Sequence, residues 1–238
     1  MKKKNIIVIF TDLDGSVLDR DTFKFDKIKD YIKKLISSGI HIIPNSSKTE
    51  SEIIDFNQDL GENLAYISEN GSVINGLNLL NSNFPSKIIL SREKDELIKI
   101  FKNIVPENLQ NKCKFISTLT KKNQINIFGL TEIKLKKALD RKYTEPFLFE
   151  GSKKEKKDLS KILKKNSLTI QEGGRLINLC DNVNKVKSMN KVLKIYKKIQ
   201  SNIKVIAVGD NYNDLDMLKI CDFPCLVFND KFTLDEIP

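Results

Sequence analysis

Three short polar clusters in this sequence each follow directly on an apolar run. They are residues 12–16 (DLDGS), 46–49 (SSKT) and 209–214 (GDNYND). Carboxylates held close together raise one another's pKa, so a site built from them needs a cation to be stable. The clusters offer oxygen ligands and the single histidine, His41, lies in an apolar run, which favours a hard cation such as Mg²⁺. Because bound Mg²⁺ retains waters and meets phosphate groups, we expect phosphate chemistry at these clusters.

The residue types fit a covalent phosphate hydrolysis. In this scheme Asp12 attacks phosphorus, and Asp14 protonates the leaving oxygen and then takes a proton from the attacking water. Ser46 and Lys185 hold the non-bridging phosphoryl oxygens. Each feature alone has a simpler interpretation: D-x-D-G as a turn, Ser46 as a cap residue and Lys185 as a solvated helix lysine. Their occurrence together with G-D-x-x-N-D after a second buried strand favours the enzymatic interpretation.

These clusters can meet only if parallel strands carry them to one edge of a sheet. Apolar runs and helical spacings alternate in the first and last parts of the chain, which predicts an α/β fold with a parallel sheet. The predicted strands are Ile6–Phe10, Ile40–Pro44, Ala65–Ser68, Val205–Val208 and Cys225–Phe228. The predicted helices run from Asp26 to Gly39, from Thr49 (with Glu52 at capping-box spacing) to Gly61, from Lys185 to Gln200, and from Asp214 to Ile220.

The middle of the chain has a different pattern, with short strands and helices in mixed order. The predicted strands there are Lys87–Leu90, Lys114–Thr118, Gln124–Phe128, Phe147–Phe149 and Leu176–Cys180, and the predicted helices are Lys94–Ile104 and Glu132–Tyr143. We therefore expect two domains. Residues 1–80 and 183–238 form the α/β core, and residues 81–182 form an inserted α+β domain with helices on one face of its sheet.

Composition excludes several classes of protein. A chain of 238 residues with 40% hydrophobic and 30% charged residues is long and apolar enough to fold around a core. No apolar run approaches the roughly 20 residues of a membrane span. The four cysteines are scattered without C-x-x-C spacing. We therefore expect a cytoplasmic protein with no membrane partner.

The net charge of +10 raises the question of a nucleic-acid partner. Residues 81–182 hold 22 basic and 12 acidic residues, whereas the remainder holds 19 of each, so the excess is confined to the insert. A basic insert on a neutral core suits a small anionic substrate, although the run 153–165 also fits a solvated lysine-rich helix. That run contains no aromatic residue for base stacking, so no nucleic-acid partner is expected. A basic anion- or nucleic-acid-binding protein is the alternative outside the enzymes.

The order D-x-D-G after a strand, then Ser or Thr, then Lys, then G-D-x-x-N-D resembles the signature of the haloacid dehalogenase superfamily over nearly the whole chain. The resemblance implies a Rossmann-like core with an α+β cap inserted between the second and third motifs. It also implies a Mg²⁺-dependent phosphohydrolase in which Asp12, the Asp14 backbone carbonyl and Asp210 bind the metal. Asp214 of the same cluster is a further candidate ligand.

Five stretches resemble the mannosyl-3-phosphoglycerate phosphatase family, which includes enzymes acting on glucosyl-3-phosphoglycerate. They are residues 10–19 (FTDLDGSVLD), 46–49 (SSKT), 67–71 (ISENG), 144–147 (TEPF) and 173–179 (GGRLINL). The resemblance implies release of phosphate from a phosphorylated sugar-glycerate substrate, with the cap closing over it. The residues expected to bind this substrate are Lys48, Glu69, Asn70, Gly173, Gly174, Arg175 and Asn213.

The cap stretches suggest how the glycerate would be held. Gly173 and Gly174 expose backbone N–H groups, and Arg175 clamps the carboxylate bidentately, with a plain hairpin turn as the alternative. Glu69 and Asn70 either contact sugar hydroxyls or cap the neighbouring turn.

Three positions depart from the family pattern. They are Ser16 in place of Thr, Val186 in place of Gly, and Asn178 where the family often has His. The first two remove no catalytic group, and Asn178 leaves the choice of sugar open. A sucrose-phosphate or general sugar-phosphate phosphatase of the same superfamily is the alternative function. The sequence assigns no oligomeric state.

Overall fold

The computed structural model describes residues 5–173, 176–199 and 202–228. The strands are β1 (Ile6–Thr11), β2 (His41–Pro44), β3 (Tyr66–Ser68), β4 (Val73–Asn75), β5 (Lys87–Ile89), β6 (Cys113–Phe115), β7 (Thr144–Phe149), β8 (Leu168–Gly173), β9 (Leu176–Asp181), β10 (Ile203–Gly209) and β11 (Phe223–Leu226). The α-helices are α1 (Asp26–Ser37), α2 (Glu50–Leu60), α3 (Lys94–Ile104), α4 (Glu107–Gln110), α5 (Lys121–Phe128), α6 (Glu132–Leu139), α7 (Lys153–Lys165), α8 (Lys185–Lys197) and α9 (Leu215–Ile220). Short 3₁₀ turns cover Glu69–Gly71, Leu77–Leu79, Ile116–Thr118 and Tyr212–Asp214.

A parallel sheet of order β11-β10-β1-β2 forms the centre of the core. Val8 of β1 aligns with Val205 of β10 on one side and with His41 of β2 on the other. A parallel bridge from Asn45 to Ile67 links β2 to the antiparallel strands β3, β4 and β5. Since β1, β2 and β10 are parallel and adjacent, their carboxyl ends lie at one edge.

Alternate residues of β1 pack against different helices, as the period of a strand requires. Val8 and Phe10 are fully buried in a cluster with Met189 and Val192 of α8. Ile9 packs on the opposite face, against the cluster that contains the buried side chains of α1 and α2. The sheet is therefore covered by helices on both faces, and each fully buried aliphatic side chain contributes about 1.5–3 kcal/mol.

The inserted segment contains a second sheet of order β6-β7-β9-β8, which is antiparallel throughout. Phe147 and Leu179 lie on its helix-covered face, in a cluster with Leu97 of α3 and Leu159 of α7. Strand alternation places Thr144 on the opposite face. That face meets the core, because Thr144 Oγ1 donates to Glu69 at 2.7 Å.

Two expected elements of the insert are wrong. The predicted strand Gln124–Phe128 lies in helix α5, whose start is capped by Thr120 and whose end is closed by Gly129 at φ +65°. The predicted strand Lys114–Thr118 ends at Phe115 and continues as a 3₁₀ turn. The flanking caps in the first place and the burial of Ile116 in the second outweigh the short β-branched patterns.

Other observed elements differ from the predicted ones by a few residues at their ends. The last strand occupies Phe223–Leu226, so the predicted strand Cys225–Phe228 is displaced by two positions. The helix predicted over Glu132–Tyr143 ends at Leu139. Strand β5 pairs with β4 of the core segment, although the predicted domain division places it in the insert.

Several local predictions are confirmed. Thr49 and Glu52 form a capping box at the start of α2, and Gly61 ends the helix at φ +75°. The lysine-rich run 153–165 is helix α7, with exposed and half-buried lysines along it. Across the described ranges of the chain, the structure contains no helix long and apolar enough to cross a membrane.

Candidate active site

The three polar clusters meet at the carboxyl edge of the core sheet. Asp12 continues β1, because its backbone N–H donates to Val208 of β10 at 2.9 Å. Asn45 continues β2 by donating its backbone N–H to Thr11 at 2.8 Å, which places Ser46 beside the end of β1. Asp210 follows the last residue of β10. The parallel pairing of three strands thus brings together residues that are up to 198 positions apart in the chain.

Lys185 connects two of the carboxylates. Its Nζ lies 2.7 Å from Asp12 Oδ1 and 2.7 Å from Asp214 Oδ1, and the residue is 2% exposed. Asn45 fixes the start of α8 by donating to the Lys185 carbonyl at 3.0 Å. Burial alone would lower the pKa of Lys185, but the two carboxylates outweigh it and raise the pKa above its usual range. The lysine is therefore a permanent cation in this site.

Asp214 is fully buried with both carboxylate oxygens engaged. Oδ1 accepts from Lys185, and Oδ2 accepts from the backbone N–H groups of Asp210 and Asn211, each at 3.2 Å. Burial raises the pKa of Asp214 above its ordinary value, and Lys185 opposes that effect. This geometry holds the Gly209–Asp214 loop in one conformation and orients Lys185.

Asp210 is 1% exposed and has an unusual charge environment. Burial, followed by the charge of Asp12, raises the pKa of Asp210 to about 6. Arg20 opposes this shift, since its Nη2 donates to Asp210 Oδ2 at 3.0 Å. A Cβ at Gly15, which has φ +84°, would lie 2.2 Å from Asp210 Oδ2. Both its backbone conformation and this close approach therefore require glycine at position 15.

Arg20 is a site residue that the sequence analysis missed. It is six residues beyond Asp14 in sequence but 190 residues away from its partner. Its position shortly after the D-x-D-G stretch was the only available signal, and that position alone does not distinguish it from a surface arginine.

Asp14 and Lys48 form an ion pair at the mouth of the site. Lys48 Nζ lies 2.9 Å from Asp14 Oδ1 and 3.5 Å from Glu52 Oε1. Burial raises the pKa of Asp14, with Lys48 opposing and Asp12 reinforcing the rise. The Asp14 carboxylate thus pairs with Lys48 and is not part of the group formed by Asp12, Asp210 and Asp214. Lys48 was predicted to bind substrate, and its ion pair with Asp14 places it beside this predicted catalytic residue.

Ser46 and Asn213 present polar atoms with few or no partners. Ser46 is fully buried, and its Oγ accepts only a 3.3 Å contact from the Lys48 backbone N–H among the described residues. Asn213 Oδ1 and Ser16 Oγ are buried and have no hydrogen-bond partner in the described ranges. Buried polar atoms without partners are costly, and a bound polar ligand or water at this site would satisfy them.

The predicted substrate residues of the Glu69 region lie at the boundary with the insert. Both oxygens of the Glu69 carboxylate accept hydrogen bonds from residues 142–144. Asn70 is 2% exposed and has φ +59°. Of the glycine-arginine turn, Gly173 ends β8. Gly174 and Arg175 lie outside the described residues.

Three carboxylates are close enough to share one cation. Oxygens of Asp12, Asp210 and Asp214 lie within 4.8 Å of one another, and all three residues are buried. The donors are oxygens only, and burial followed by the charge of Asp12 raises the pKa of Asp210, so a bound cation would favour its ionised form. A hard divalent cation fits this group of oxygen ligands.

Several known proteins resemble this chain over most of its length. The glucosyl-3-phosphoglycerate/mannosyl-3-phosphoglycerate phosphatase of Persephonella marina is 28% identical, over 98% of this chain and 89% of that protein. A protein of the same name from Methanococcoides burtonii is 29% identical, over 92% and 84%. The crystal structure of a haloacid dehalogenase-like hydrolase from Bacteroides thetaiotaomicron superposes with a TM-score of 0.63 at 14% identity, over 94% of both chains.

These matches confirm the predicted resemblance and the predicted fold class, a Rossmann-like α/β core with a parallel sheet and an inserted α+β cap. The predicted enzyme class, a hydrolase, is confirmed as well. A model of the haloacid dehalogenase-like hydrolases matches residues 9–236, and the chain therefore belongs to that family.

Proposed function

We propose that this protein is a Mg²⁺-dependent phosphatase that hydrolyses mannosyl-3-phosphoglycerate or glucosyl-3-phosphoglycerate to the glycosylglycerate and phosphate. The observation that carries the proposal is the buried Asp12 carboxylate, held 2.7 Å from Lys185 and grouped with Asp210 and Asp214 at the carboxyl edge of the sheet. A carboxylate placed beside a buried cation, at a site that fits a metal, suits attack on an anionic phosphoryl group.

The first step transfers the phosphoryl group to the protein. Asp12 attacks phosphorus, the bond from phosphorus to the leaving oxygen breaks, and an aspartyl-phosphate forms. Asp14 delivers its proton to the leaving oxygen, a role suited to a carboxyl whose pKa is raised by burial. Ser46 Oγ and Lys185 Nζ hold the non-bridging oxygens, where charge is concentrated.

The second step releases phosphate. Asp14, now ionised, takes a proton from water, and the resulting hydroxide attacks phosphorus so that Asp12 leaves as the free carboxylate. One residue acts as acid and then as base, and both the proton and the nucleophile return to their starting state. Mg²⁺, held by Asp12, Asp210 and the Asp14 carbonyl, would supply neutralisation of the phosphoryl charge.

The phosphoglycerate substrate is supported by the names of the two relatives, each matched over more than four fifths of its length. It is also supported by the insert, whose sheet contacts the core through Thr144 and Glu69 and whose charge is basic. In our proposal Arg175 and the N–H groups of Gly173 and Gly174 hold the glycerate carboxylate, while Asn70 and Asn213 contact the remaining polar groups of the substrate.

Phosphate release from mannosyl- and glucosyl-3-phosphoglycerate, beside sucrose 6-phosphate and mannose 6-phosphate, tests the substrate. We expect kcat/KM for at least one phosphoglycerate to exceed that for the two sugar phosphates by at least roughly 100-fold. A hydrogen-bonding site rejects substrates that leave its polar groups unpaired. Asp12→Asn serves as the control, and it should show no turnover with an unchanged circular dichroism spectrum.

Equal rates on all four compounds would replace this substrate with a general sugar-phosphate activity. Turnover by Asp12→Asn would remove the nucleophile assignment. A gel shift at physiological salt tests the remaining alternative, and tight binding of DNA or RNA there would favour a nucleic-acid function over a phosphatase.

A further inference from the structure

Residues Glu69, Asn70 and Gly71 form a turn with three consecutive positive φ angles, of +47°, +59° and +95°. We call Glu69–Gly71 the Glu69 turn. Left-handed backbone is uncommon for residues other than glycine and costs free energy, so it persists only where surrounding contacts hold it. All three residues are buried. The contacts that hold the turn therefore indicate what it does.

On its core side the Glu69 turn holds the phosphate-binding elements. The Glu69 backbone N–H donates to the Lys48 carbonyl at 2.8 Å, and the Asn70 N–H donates to the Ser46 carbonyl at 3.0 Å. Gly71 packs against the start of α8, where an added Cβ would lie 2.4 Å from the Asn184 carbonyl oxygen. The turn thus contacts both the Ser46 loop and the helix N-terminus that carries Lys185.

On its other side the Glu69 turn holds the cap. One Glu69 oxygen accepts from the Lys142 backbone N–H at 2.9 Å. The other accepts from the Tyr143 N–H at 3.0 Å and from Thr144 Oγ1 at 2.7 Å. These three donors lie immediately before and at the first residue of β7, which is a central strand of the cap sheet. Arg141 adds a parallel connection by donating to the Ser47 carbonyl at 3.2 Å.

We propose that Glu69 is a positioning residue that couples the docking of the cap to the placement of Ser46 and Lys185. The proposal rests on the phosphatase function proposed above. When the cap is docked, the Glu69 carboxylate ties β7 to a strained turn that fixes both phosphate-binding residues. When the cap separates from the core, the turn loses three hydrogen bonds and is free to relax, and the catalytic groups lose their placement.

The carboxylate is required because it alone offers acceptors to all three donors. Glu69→Gln keeps the size of the side chain but presents an NH₂ group to at least one backbone N–H. That donor is then left unpaired in a buried place, which favours the separated state of the cap. Asp cannot replace it either, since the shorter side chain does not span the same gap.

The test compares two substrates in Glu69→Gln. With the phosphoglycerate substrate we expect KM to rise about tenfold, since an apparent affinity falls in proportion to the binding-competent fraction. With 4-nitrophenyl phosphate, which is too small to use the cap, kcat/KM should also fall by more than about threefold, because Ser46 and Lys185 act on the phosphoryl group of every substrate. Glu150→Gln is the matched control, because Glu150 directly follows β7 and pairs with Lys114 at an exposed position. Unchanged kcat/KM with 4-nitrophenyl phosphate would contradict the proposal, because Glu69 would then affect only substrate binding by the cap.

Hydrogen exchange gives a readout that does not depend on substrate identity. In Glu69→Gln the amides of residues 142–144 and also those of residues 46–49 should exchange faster than in the wild type. Faster exchange confined to residues 142–144 would overturn the coupling. If the wild type hydrolyses neither phosphoglycerate, the proposed substrate fails while this exchange experiment still decides the coupling. Thr144→Val, which removes one of the three donors, should change both regions in the same direction by a smaller amount and serves if Glu69→Gln does not fold.

Discussion

Asp12 and Asp14 are two residues apart, yet their carboxylates meet different charges. Asp12 lies beside the buried cation Lys185, whereas Asp14 pairs with Lys48 at the mouth of the site. Burial raises the pKa of Asp14. The difference supports our proposal that Asp12 is the nucleophile and Asp14 transfers the protons.

We expect Asp14→Asn to lower kcat on the phosphoglycerate substrate by about 10²- to 10⁴-fold, because it removes the group that moves protons in both steps. With 4-nitrophenyl phosphate the leaving group needs no proton, so rapid-quench kinetics should show a burst of 4-nitrophenol followed by slow turnover. Asp12→Asn should show neither phase. Absence of the burst in Asp14→Asn would indicate that Asp14 holds the site together and does not act as the acid.

His41 provides a pH-dependent feature away from the catalytic residues. Its Nδ1 lies 2.7 Å from the hydroxyl of Tyr196, and burial lowers its pKa from the ordinary value of 6.5. The folded state therefore favours neutral imidazole, and the unfolded state binds the extra proton first. The stabilisation linked to the lowered pKa of His41 is fully present above about pH 6.5 and is lost as the pH falls toward the folded-state pKa.

Because His41 is the only histidine, its titration can be followed as a single imidazole signal by NMR. We expect a pKa below 6.5 in the folded protein. His41→Gln should show a smaller loss of the free energy of unfolding between pH 7.5 and pH 5.5 than the wild type in urea titrations. A measured pKa above 6.5 would contradict the prediction.

At the scale of single residues, the sequence predicted those whose motif is local. Asp12, Ser46 and Asp210 were proposed because each belongs to a polar cluster that follows an apolar run, and Lys185 was proposed from its position relative to these clusters. Arg20 could not be found, since its partner is 190 positions away and the ion pair exists only after β1 and β10 are adjacent.

At the scale of elements, two capping boxes of the same type have different surroundings. Thr49 begins α2 and is fully buried, and its Oγ1 also donates to the Lys137 carbonyl of the cap at 2.8 Å. Ser152 begins α7 at an exposed position with no such second contact among the described residues. Comparing the two N-cap residues separates the effect of an N-cap on helix stability from its effect on the active site.

Thr49→Ala and Ser152→Ala should each lower the free energy of unfolding by about 1 kcal/mol, the usual cost of losing an N-cap. Thr49→Ala should in addition lower kcat/KM, because Thr49 directly follows Lys48 and ties the Ser46 loop to the cap. Urea unfolding and phosphate-release assays on both variants measure the two effects. Equal activity of the two variants would show that the contact with Lys137 has no part in catalysis.

Elements with an unambiguous signal were predicted correctly, whereas the segment 124–128 was not. Helix α2 had both a capping box and a terminal glycine, and β1 was a continuous apolar run. The segment 124–128 has one apolar pattern of ambiguous period, and the choice between helix and strand was made by Thr120 and Gly129, which flank it. Pairing partners such as β5 with β4 depend on contacts that no local pattern specifies.

At the scale of the whole molecule, charge is divided between a neutral core and a basic insert. Many of the insert's lysines pair with carboxylates, including Lys112 with Glu155 and Lys156 with Glu172. Exposed pairs of this kind contribute little to stability. The negative charge that matters for stability is instead concentrated in the buried aspartates of the core, where it is least screened.

Removal of the metal should therefore destabilise the whole protein through Asp210. Its pKa is raised to about 6, so in the absence of a cation the ionised carboxylate opposes folding at neutral pH, and this penalty grows as the pH rises from about 4 to 6. Mg²⁺ at 100 times its dissociation constant should stabilise the wild type by about 2.7 kcal/mol. For a chain of this size that corresponds to a rise in Tm of roughly 5–10 °C.

Asp210→Asn should reverse both effects, because it removes the buried charge and one metal ligand together. Without metal its Tm should exceed that of the wild type, and addition of Mg²⁺ should raise it by less than about 1 °C, since stabilisation by a ligand requires binding to the folded state. Differential scanning calorimetry of both proteins in EDTA and in Mg²⁺ measures the four values. A variant that is less stable than the wild type in EDTA would show that the ion pair of Asp210 with Arg20 outweighs the repulsion among the aspartates.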